Sequence, residues 1–582
     1  MRKRKLFRGL TINAVAGTWV VFFGLDLTPA KRVGFRGFAF MRLDHATGEA
    51  VWLRGIKTFE KTAPHPALGV TFSTREQPIQ SFQWADYAVM PGRAYTYTIA
   101  ALYGDPVNLQ ARIQTTLAIT TETEVGGTHS AFFNRGSVAT QEYARRFQNR
   151  PPSIAGPSAY AWLSRGLIEA MLAFIARAKS GWAIHGAVYE FQWPAALEAL
   201  KKAAERGAEV HILFDDIAGG PRARNRAAIT AAGIDALCKG RANGKLMHHK
   251  FFVLSQVNAQ TKALAPLAVW TGSTNLTENG IFGHANVGHI VADATIASNY
   301  LEAWRRLDAD PKVDVAYRTV NTAVSPAPPV PWQAITSAVF SPRGTKASPY
   351  DALDWYAAIA TGAQKALMMT FAFGMEERFK NVYRMDDAIL RMALLDKEGN
   401  PATLAQDKLD LKAIRARPNV VVAVGNNIVT NAFDRWLAEL SKIVAQVNVP
   451  WVHTKFMLVD PLGRAPIVVS GSANFSKAST DTNDENMLIV RGDQRVSHIY
   501  FGEYLRLYNH YAFRESVKRF MERTGQPSPT DWTPQYLIDD DRWMADYFDP
   551  QDSSARYLRR VYFGGPMAPA PAPSPPVSPS PA

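Results

Sequence analysis

The reading turns on one stretch, WVHTKFMLVD, residues 451–460. An apolar run here carries two ionisable side chains two positions apart. Alternate residues of a strand leave from the same face, so His453 and Lys455 are predicted to point together, with Val452, Phe456 and Leu458 on the opposite side. A single pair of this kind is ordinary surface decoration. The chain repeats it in LMHHKFFVLSQ, residues 246–256, where His248 and Lys250 have the same spacing. A strand and a Gly-Ser-x-Asn follow each pair, in VWTGSTNLTENG (269–280) and VVSGSANFSKAS (468–479). HANVGHIV and DENMLIV come next and are aligned here on Asn286 and Asn486, which sets Ala285 opposite Glu485. The segments leading in, ARAKSGWAIHGAVYEF and ATGAQKALMMTFAFG, also correspond. A whole unit of strand, HxK, strand, GSxN and strand is duplicated.

Bulk properties set the frame. A chain of 582 residues holds more than one domain and buries sizeable cores. With 47% hydrophobic and 20% charged residues it is an ordinary folded protein rather than a disordered one. Its 65 Lys and Arg against 51 Asp and Glu give a formal charge of +14, which favours polyanionic partners such as nucleic acid or anionic lipid surfaces without choosing between them. Cys238 is the only cysteine, which excludes an intrachain disulfide and a cysteine-based metal site. The start, MRKRKLFRGL and then TINAVAGTWVVFFGLDL, has the outline of a signal sequence. Thr18 interrupts its apolar run, Asp26 closes it, and the small-residue tripeptide AVA (14–16) precedes the run instead of following it. TWVVFFGLDL is therefore read as the first strand of a β domain. No other run approaches the ~20 apolar residues of a spanning helix. The expectation is a soluble protein with no transmembrane segment, cytoplasmic or exported without a clear cleaved signal.

From Trp19 to about Ile119 short alternating runs such as FRGFAFMRL, AYTYTIAALYG and VNLQARIQTTLAIT are separated by turn residues, which predicts a two-sheet sandwich. FQWADYAVMPGRAYTYTIAALYGDPVNL resembles the second half of a fibronectin type III domain, through its PG turn and YTYTIAA strand. Beyond RFQNRPPSIAGPS helix and strand alternate. AYAWLSRGLIEAMLAFIARAKS is predicted as a helix, GWAIHGAVYEF as a buried strand, PAALEALKKAAERG as a helix and AEVHILFDD as another buried strand. This rhythm predicts an α/β fold of mostly parallel sheets with flanking helices. The expected domains are a β-sandwich at 1–125, two pseudo-symmetric halves at 126–320 and 321–525, a C-terminal extension at 526–565 and a disordered Pro/Ala/Ser tail at 566–582.

These repeated motifs resemble the phospholipase D superfamily, whose signature HxKxxxxD followed by G[GS]xN occurs twice. The resemblance spans about residues 150 to 520 and includes VFSPR (339–343), similar to the linker into the second half of bacterial members. It implies two αβα halves sharing one site within one chain, with no metal or other cofactor. Two opposed histidines then do the chemistry: one attacks phosphorus and becomes a phosphohistidine, while the other protonates the leaving alkoxide and afterwards activates water. Under the resemblance His248, Lys250, Asn275, His453, Lys455, Asn474, Asp460 and Glu485 are catalytic, and Ser273 and Ser472 bind the substrate phosphate.

The copies differ. The second ends its motif at Asp460 and has Glu485 where the family orients an imidazole, whereas the first has Ser255 and Ala285. On this reading His453 is the carboxylate-backed acid and His248 the unbacked, neutral nucleophile. Tyrosyl-DNA phosphodiesterases, relatives with an atypical first motif, show that losing this Asp need not end activity. His249 lies on the other strand face and is read as packed or hydrogen-bonded. GGPRARNRAA (219–228) is either a substrate-facing basic loop or a solvated helix start, and the DDD at 539–541 is read as helix-start acids rather than metal ligands. The expected function is phosphodiester hydrolysis with phospholipid as the leading substrate. A nucleic-acid phosphodiesterase with the same dyad is the alternative, and an inactive phosphate-binding scaffold a further one. Peripheral contact with anionic surfaces fits the charge.

Overall fold

The computed structural model describes residues 1–66, 70–136, 140–324, 335–344, 352–399, 401–425, 451–524, 536–552 and 554–565, so the expected tail at 566–582 lies outside the described residues. The N-terminal part is a sandwich of two antiparallel sheets. One contains β1 (Arg2–Phe7), β2 (Leu10–Ala16), β3 (Val21–Leu27) and β8 (Gln83–Asp86). The other contains β4 (Phe35–Asp44), β5 (Ala50–Trp52), β9 (Ala94–Asp105) and β10 (Asn108–Thr120), in the order β10-β9-β4-β5. Two short strands, β6 (Arg54–Gly55) and β7 (Phe72–Ser73), pair separately.

The first strand lies ahead of the expected TWVVFFGLDL, because the basic start is itself a strand. Phe7 pairs with Leu10 across a two-residue turn in which Arg8 has φ 50° and Gly9 φ 88°. Positive φ at both central residues is the turn whose twist suits a tight hairpin. Phe23, Phe40, Tyr97 and Ile99 fill the space between the sheets, and Trp543 and Tyr547 from the C-terminal region join them. The helix Arg556–Gly564 runs over β3 so closely that a Cβ on Gly24 would lie 2.1 Å from the Phe563 carbonyl oxygen.

Two seven-stranded sheets come next along the chain. The first holds β11 (His129–Phe133), β12 (Trp182–Val188), β13 (Glu209–Asp215), β14 (Cys238–Arg241), β15 (Lys250–Val257), β16 (Leu264–Gly272) and β17 (Val287–Val291). The second holds β18 (Thr336–Ser341), β19 (Ala366–Phe371), β20 (Leu390–Leu395), β21 (Val420–Val424), β22 (Phe456–Val459), β23 (Ile467–Gly471) and β24 (Glu485–Arg491). Their orders, β11-β17-β16-β15-β12-β13-β14 and β18-β24-β23-β22-β19-β20-β21, match strand for strand, as a duplication requires. The sheets are mixed rather than mostly parallel. β12, β13 and β14 run parallel because helices Pro194–Glu205 and Arg222–Ala232 connect them. The strands carrying the HxK and GSxN motifs are joined by shorter connections and run antiparallel.

The single helix expected before β12 is two, Pro157–Ser164 and Leu167–Ala176, bent by 88°. Arg165 and Gly166 break it with φ of 50° and 87°. The break turns the Arg165 guanidinium inward, where it meets Glu503 at 2.7 Å with both side chains almost fully buried. Arg506 meets the same carboxylate at 2.8 Å, which ties the first half to the long helix Gln494–Thr524. Among the described residues no single helix is long and apolar enough to cross a membrane. Glu503→Ala strands the Arg165 charge in the interior and is expected to cost about 3–5 kcal/mol. Denaturant unfolding checks this, and a loss below about 1 kcal/mol would contradict it.

Candidate active site

The two halves meet where each sheet's last strand begins. Ahead of β24 the Asp484 carbonyl accepts from His248 N at 2.9 Å, and Asp484 N donates to Leu246 O at 2.8 Å. The same pair of bonds recurs with the halves exchanged: His453 N to Ala285 O at 3.2 Å and Ala285 N to Trp451 O at 3.0 Å. Each half therefore holds the histidine segment of the other. Backbone pairing also explains why β22 starts only at Phe456 and not at Val452: Val452 and His453 are drawn toward the first half, and the Thr370 hydroxyl donates to the Thr454 carbonyl and accepts from the Phe456 N–H.

The equivalence of the halves follows from register. Ser273 N donates to Val287 O at 3.0 Å and Ser472 N to Asn486 O at 2.9 Å. A Cβ on Gly272 or Gly471 would lie 2.2 Å or 2.3 Å from those same two carbonyls, which is why each motif opens with glycine. Val287 thus matches Asn486, Asn286 matches Glu485, and Ala285 matches Asp484. The alignment of Asn286 with Asn486 is one residue out, and in a strand one residue reverses the face. Asn486 points away from the catalytic groups, donating toward His249 Nδ1 at 3.0 Å and accepting from Thr271 and Tyr300. His249 is buried and hydrogen-bonded, on the face expected for it.

The pairing of the two imidazoles is correspondingly crossed. Glu485 does not back His453; its Oε2 accepts from His248 Nδ1 at 2.8 Å. His453 Nδ1 faces Asn286 Oδ1 at 2.9 Å. Asn286 Nδ2 donates to Gly280 O at 2.7 Å, so its oxygen is the atom turned to His453. An oxygen acceptor at each Nδ1 places the proton there and leaves each Nε2 for chemistry. Asn286 is the functional residue that the sequence reading missed. The signal was present: the same number of residues separates Gly272 from Asn286 as Gly471 from Glu485.

Other expected residues divide into those at the centre and those behind it. Lys250 and Lys455 are buried beside the histidines, Lys250 donating to His248 O at 2.6 Å and Lys455 Nζ having no hydrogen-bond partner among the described residues. Among the described residues nothing donates to the buried Oδ1 of Asn275 or of Asn474. Ser273 and Ser472 are not free to bind phosphate. The Ser273 hydroxyl donates to Asn286 Oδ1 at 2.8 Å and accepts from Val287 N, while the Ser472 hydroxyl accepts from Asn486 N at 2.9 Å. Full burial leaves them as supports for the strands that carry Asn286 and Glu485. Asp460 is not with the catalytic groups either. It lies past the far end of β22, where its carboxylate accepts from the backbone N–H of Gln364, Lys365 and Ala366 at 2.7–2.9 Å. Its work is anchoring the start of β19. Of the DDD acids, Asp540 caps a 3-10 turn, Asp541 accepts from Gly34 N and Asp539 pairs with Lys61.

Burial dominates the electrostatics. It pushes His248 down to about 4, with Glu485 opposing and Lys250 adding to the fall. His453 lies well below the ordinary histidine range, through burial and then the nearby Lys455. Glu485 is disfavoured by burial, but His248 and Lys250 outweigh that and hold its carboxyl below the usual value. Burial lowers Lys250 to about 7 and raises two equivalent acids, Asp215 and Asp396, to about 7. Those acids accept from Met247 N and from Trp451 and Val452 N, fixing the backbone before each histidine. Tyr189 packs its ring edge-on to His248 at 4.9 Å, with Lys250 Nζ 5.1 Å from the ring centre. The arrangement is a buried cluster of two imidazoles and two lysines drawn from both halves.

The family described as cardiolipin synthase, PLD-like domain, matches residues 171–307 and 399–501. No curated protein sequence matches the chain. Solved structures with distant similarity include a polyphosphate kinase from Porphyromonas gingivalis, at 10% identity over 69% of this chain and 54% of that one, TM-score 0.36. The chain thus spans about half the length of that kinase. A phosphatidylserine synthase from Haemophilus influenzae matches at 13% identity over 62% and 92%, TM-score 0.41. Nuc, a phospholipase D family member from Salmonella typhimurium, matches at 25% identity over 25% and 87%, TM-score 0.21.

The lysine shift has a measurable consequence. Lys250 loses its charge as pH rises through about 7, while Asp215 and Asp396 gain theirs over the same range. Affinity for dimethyl phosphate should therefore fall severalfold between about pH 6 and about pH 8.5. Calorimetric titration reads this, and an affinity constant or rising across that interval would contradict it.

Proposed function

The chain belongs to the phospholipase D superfamily, and on that premise we propose that it is a phosphodiesterase working through a phosphohistidine, with phospholipid as its substrate. The observation that carries this reading is the crossed pairing: two buried imidazoles from different halves, each with Nδ1 held by an oxygen acceptor. His248 Nε2 attacks phosphorus, the bond to the headgroup oxygen breaks, and His453 passes a proton to that oxygen. Water then gives a proton back to His453 and attacks phosphorus, and the P–N bond breaks. Phosphatidate and a free headgroup result; an alcohol in place of water gives transfer instead.

His248 remains the nucleophile, for the reverse of the reason read from sequence. Positive charge develops on its ring as the P–N bond forms, and the Glu485 carboxylate 2.8 Å away stabilises that charge. Neutral Asn286 holds the His453 proton less tightly, which suits an acid. Burial and then the nearby lysines depress His453, and a bound phosphate anion opposes the lysines and so favours the protonated ring. Lys250, Lys455, Asn275 and Asn474 surround the phosphate oxygens. Lipid chemistry draws support from the description of the matching family. The formal charge of +14 favours a second reading, a nucleic-acid phosphodiesterase using the same groups.

Headgroup release from phospholipid vesicles, measured beside cleavage of DNA and RNA, separates these readings. Activity on nucleic acid alone would reject the lipid assignment. The roles within the dyad are tested by leaving group. His453→Ala should retain attack on a nitrophenyl diester, whose phenolate leaves without a proton, and should lose several orders of magnitude on an alkyl headgroup. His248→Ala should fail on both. Aryl activity kept by His248→Ala and lost by His453→Ala would reverse the assignment.

A further inference from the structure

The half-sites differ at a position that the reaction above does not use. Val188 pairs with Lys250, and the β19–β22 ladder carried on past Met369–Met457 sets Phe371 against Lys455. Tyr189 and Glu190 therefore match Ala372 and Phe373, so a carboxylate stands beside Asn275 where the equivalent position of the other half carries a phenyl ring. Glu190 is 6% exposed, and its Oε2 accepts from Asn275 Nδ2 at 2.5 Å. Lys250, Arg224 and Lys455 all act on its charge, from β15, from the helix Arg222–Ala232 and from the second half. Burial lifts its carboxyl above the usual range, and those three cations and the Asn275 amide oppose the rise. An acid beside the anion site is costly for a pocket that only needs to bind phosphate tightly.

We propose that Glu190 is a specificity residue that makes the pocket favour singly charged phosphodiesters over doubly charged phosphate monoesters, and so speeds release of a monoester product. The proposal rests on the phosphodiesterase reading. A diester carries one negative charge, whereas a monoester approaches two once its second ionisation, near pH 6, is passed. The lysines attract both anions. Only the second charge makes the monoester suffer more than the diester from a neighbouring carboxylate, and repulsion between like charges within one site at an effective dielectric of about 20 is ample for a tenfold effect. Holding the Asn275 amide is the same residue's positioning contribution, and it acts on both anions alike.

Calorimetry on the full chain compares methyl phosphate with dimethyl phosphate at about pH 7.5. Glu190→Gln should tighten methyl phosphate about tenfold and move dimethyl phosphate by less than about threefold. Equal changes for the two anions would overturn the proposal, as would an Asn275→Ala variant that shifts their ratio as far as Glu190→Gln does. These are binding measurements, so a protein that cleaves no diester fails the reading of function, and an unchanged ratio fails this one.

Discussion

The structure depends on a reciprocal exchange of hydrogen bonds between its halves. The backbone ahead of β17 and β24 fastens the opposite half's histidine segment, and the next side chain, Asn286 or Glu485, fastens the ring. Neither half contains the whole cluster. Each motif supplies an imidazole, a lysine and an asparagine, and receives from across the axis the group that fixes the imidazole's proton. The glycine, the serine and the residue beyond them in each second motif serve that one purpose: the glycine admits a strand at close range, the serine grips it, and the strand delivers the acceptor.

Assembling the site in this way buries charge at a cost in stability. Lys455 Nζ has no hydrogen-bond partner among the described residues, Lys250 is lowered to about 7, and Asp215 and Asp396 are raised to about 7. An interior with such groups is stabilised elsewhere, by the Arg165–Glu503–Arg506 cluster and by strands packed on both faces. Asymmetry enters through three positions, Glu485 against Asn286, Tyr189 against Ala372 and Glu190 against Phe373, and these assign different work to two rings that the duplication made alike.

Much of this was legible in the sequence, because duplication leaves a signal that composition does not. The HxK and GSxN repeats located both imidazoles, both lysines and both asparagines, and the change from alternation to helical periodicity separated the sandwich from the two duplicated halves. Partner assignment was less accessible. Aligning on the identical residues Asn286 and Asn486 moved one strand by a single position and attached Glu485 to the wrong histidine, whereas counting from the motif glycines gives the observed register. Asp460 has the spacing of a functional residue because the turn it anchors is part of the motif, although it binds backbone far from the rings. The strand at residues 2–7 was masked by its positive charge, and the bend at Arg165 by an apolar periodicity that continues through it.

The account's central claim is that the crossed carboxylate makes His248 the nucleophile, and the covalent intermediate reports on this directly. The His453→Ala variant, mixed with a phosphorus-labelled nitrophenyl diester, quenched in alkali and mapped by peptide mass spectrometry, should carry the phosphoryl adduct on His248. Glu485→Gln in the same background should slow its formation by about two orders of magnitude. An adduct absent from His248 in that variant but present on His453 in His248→Ala would contradict the claim and make Asn286 the nucleophile's partner.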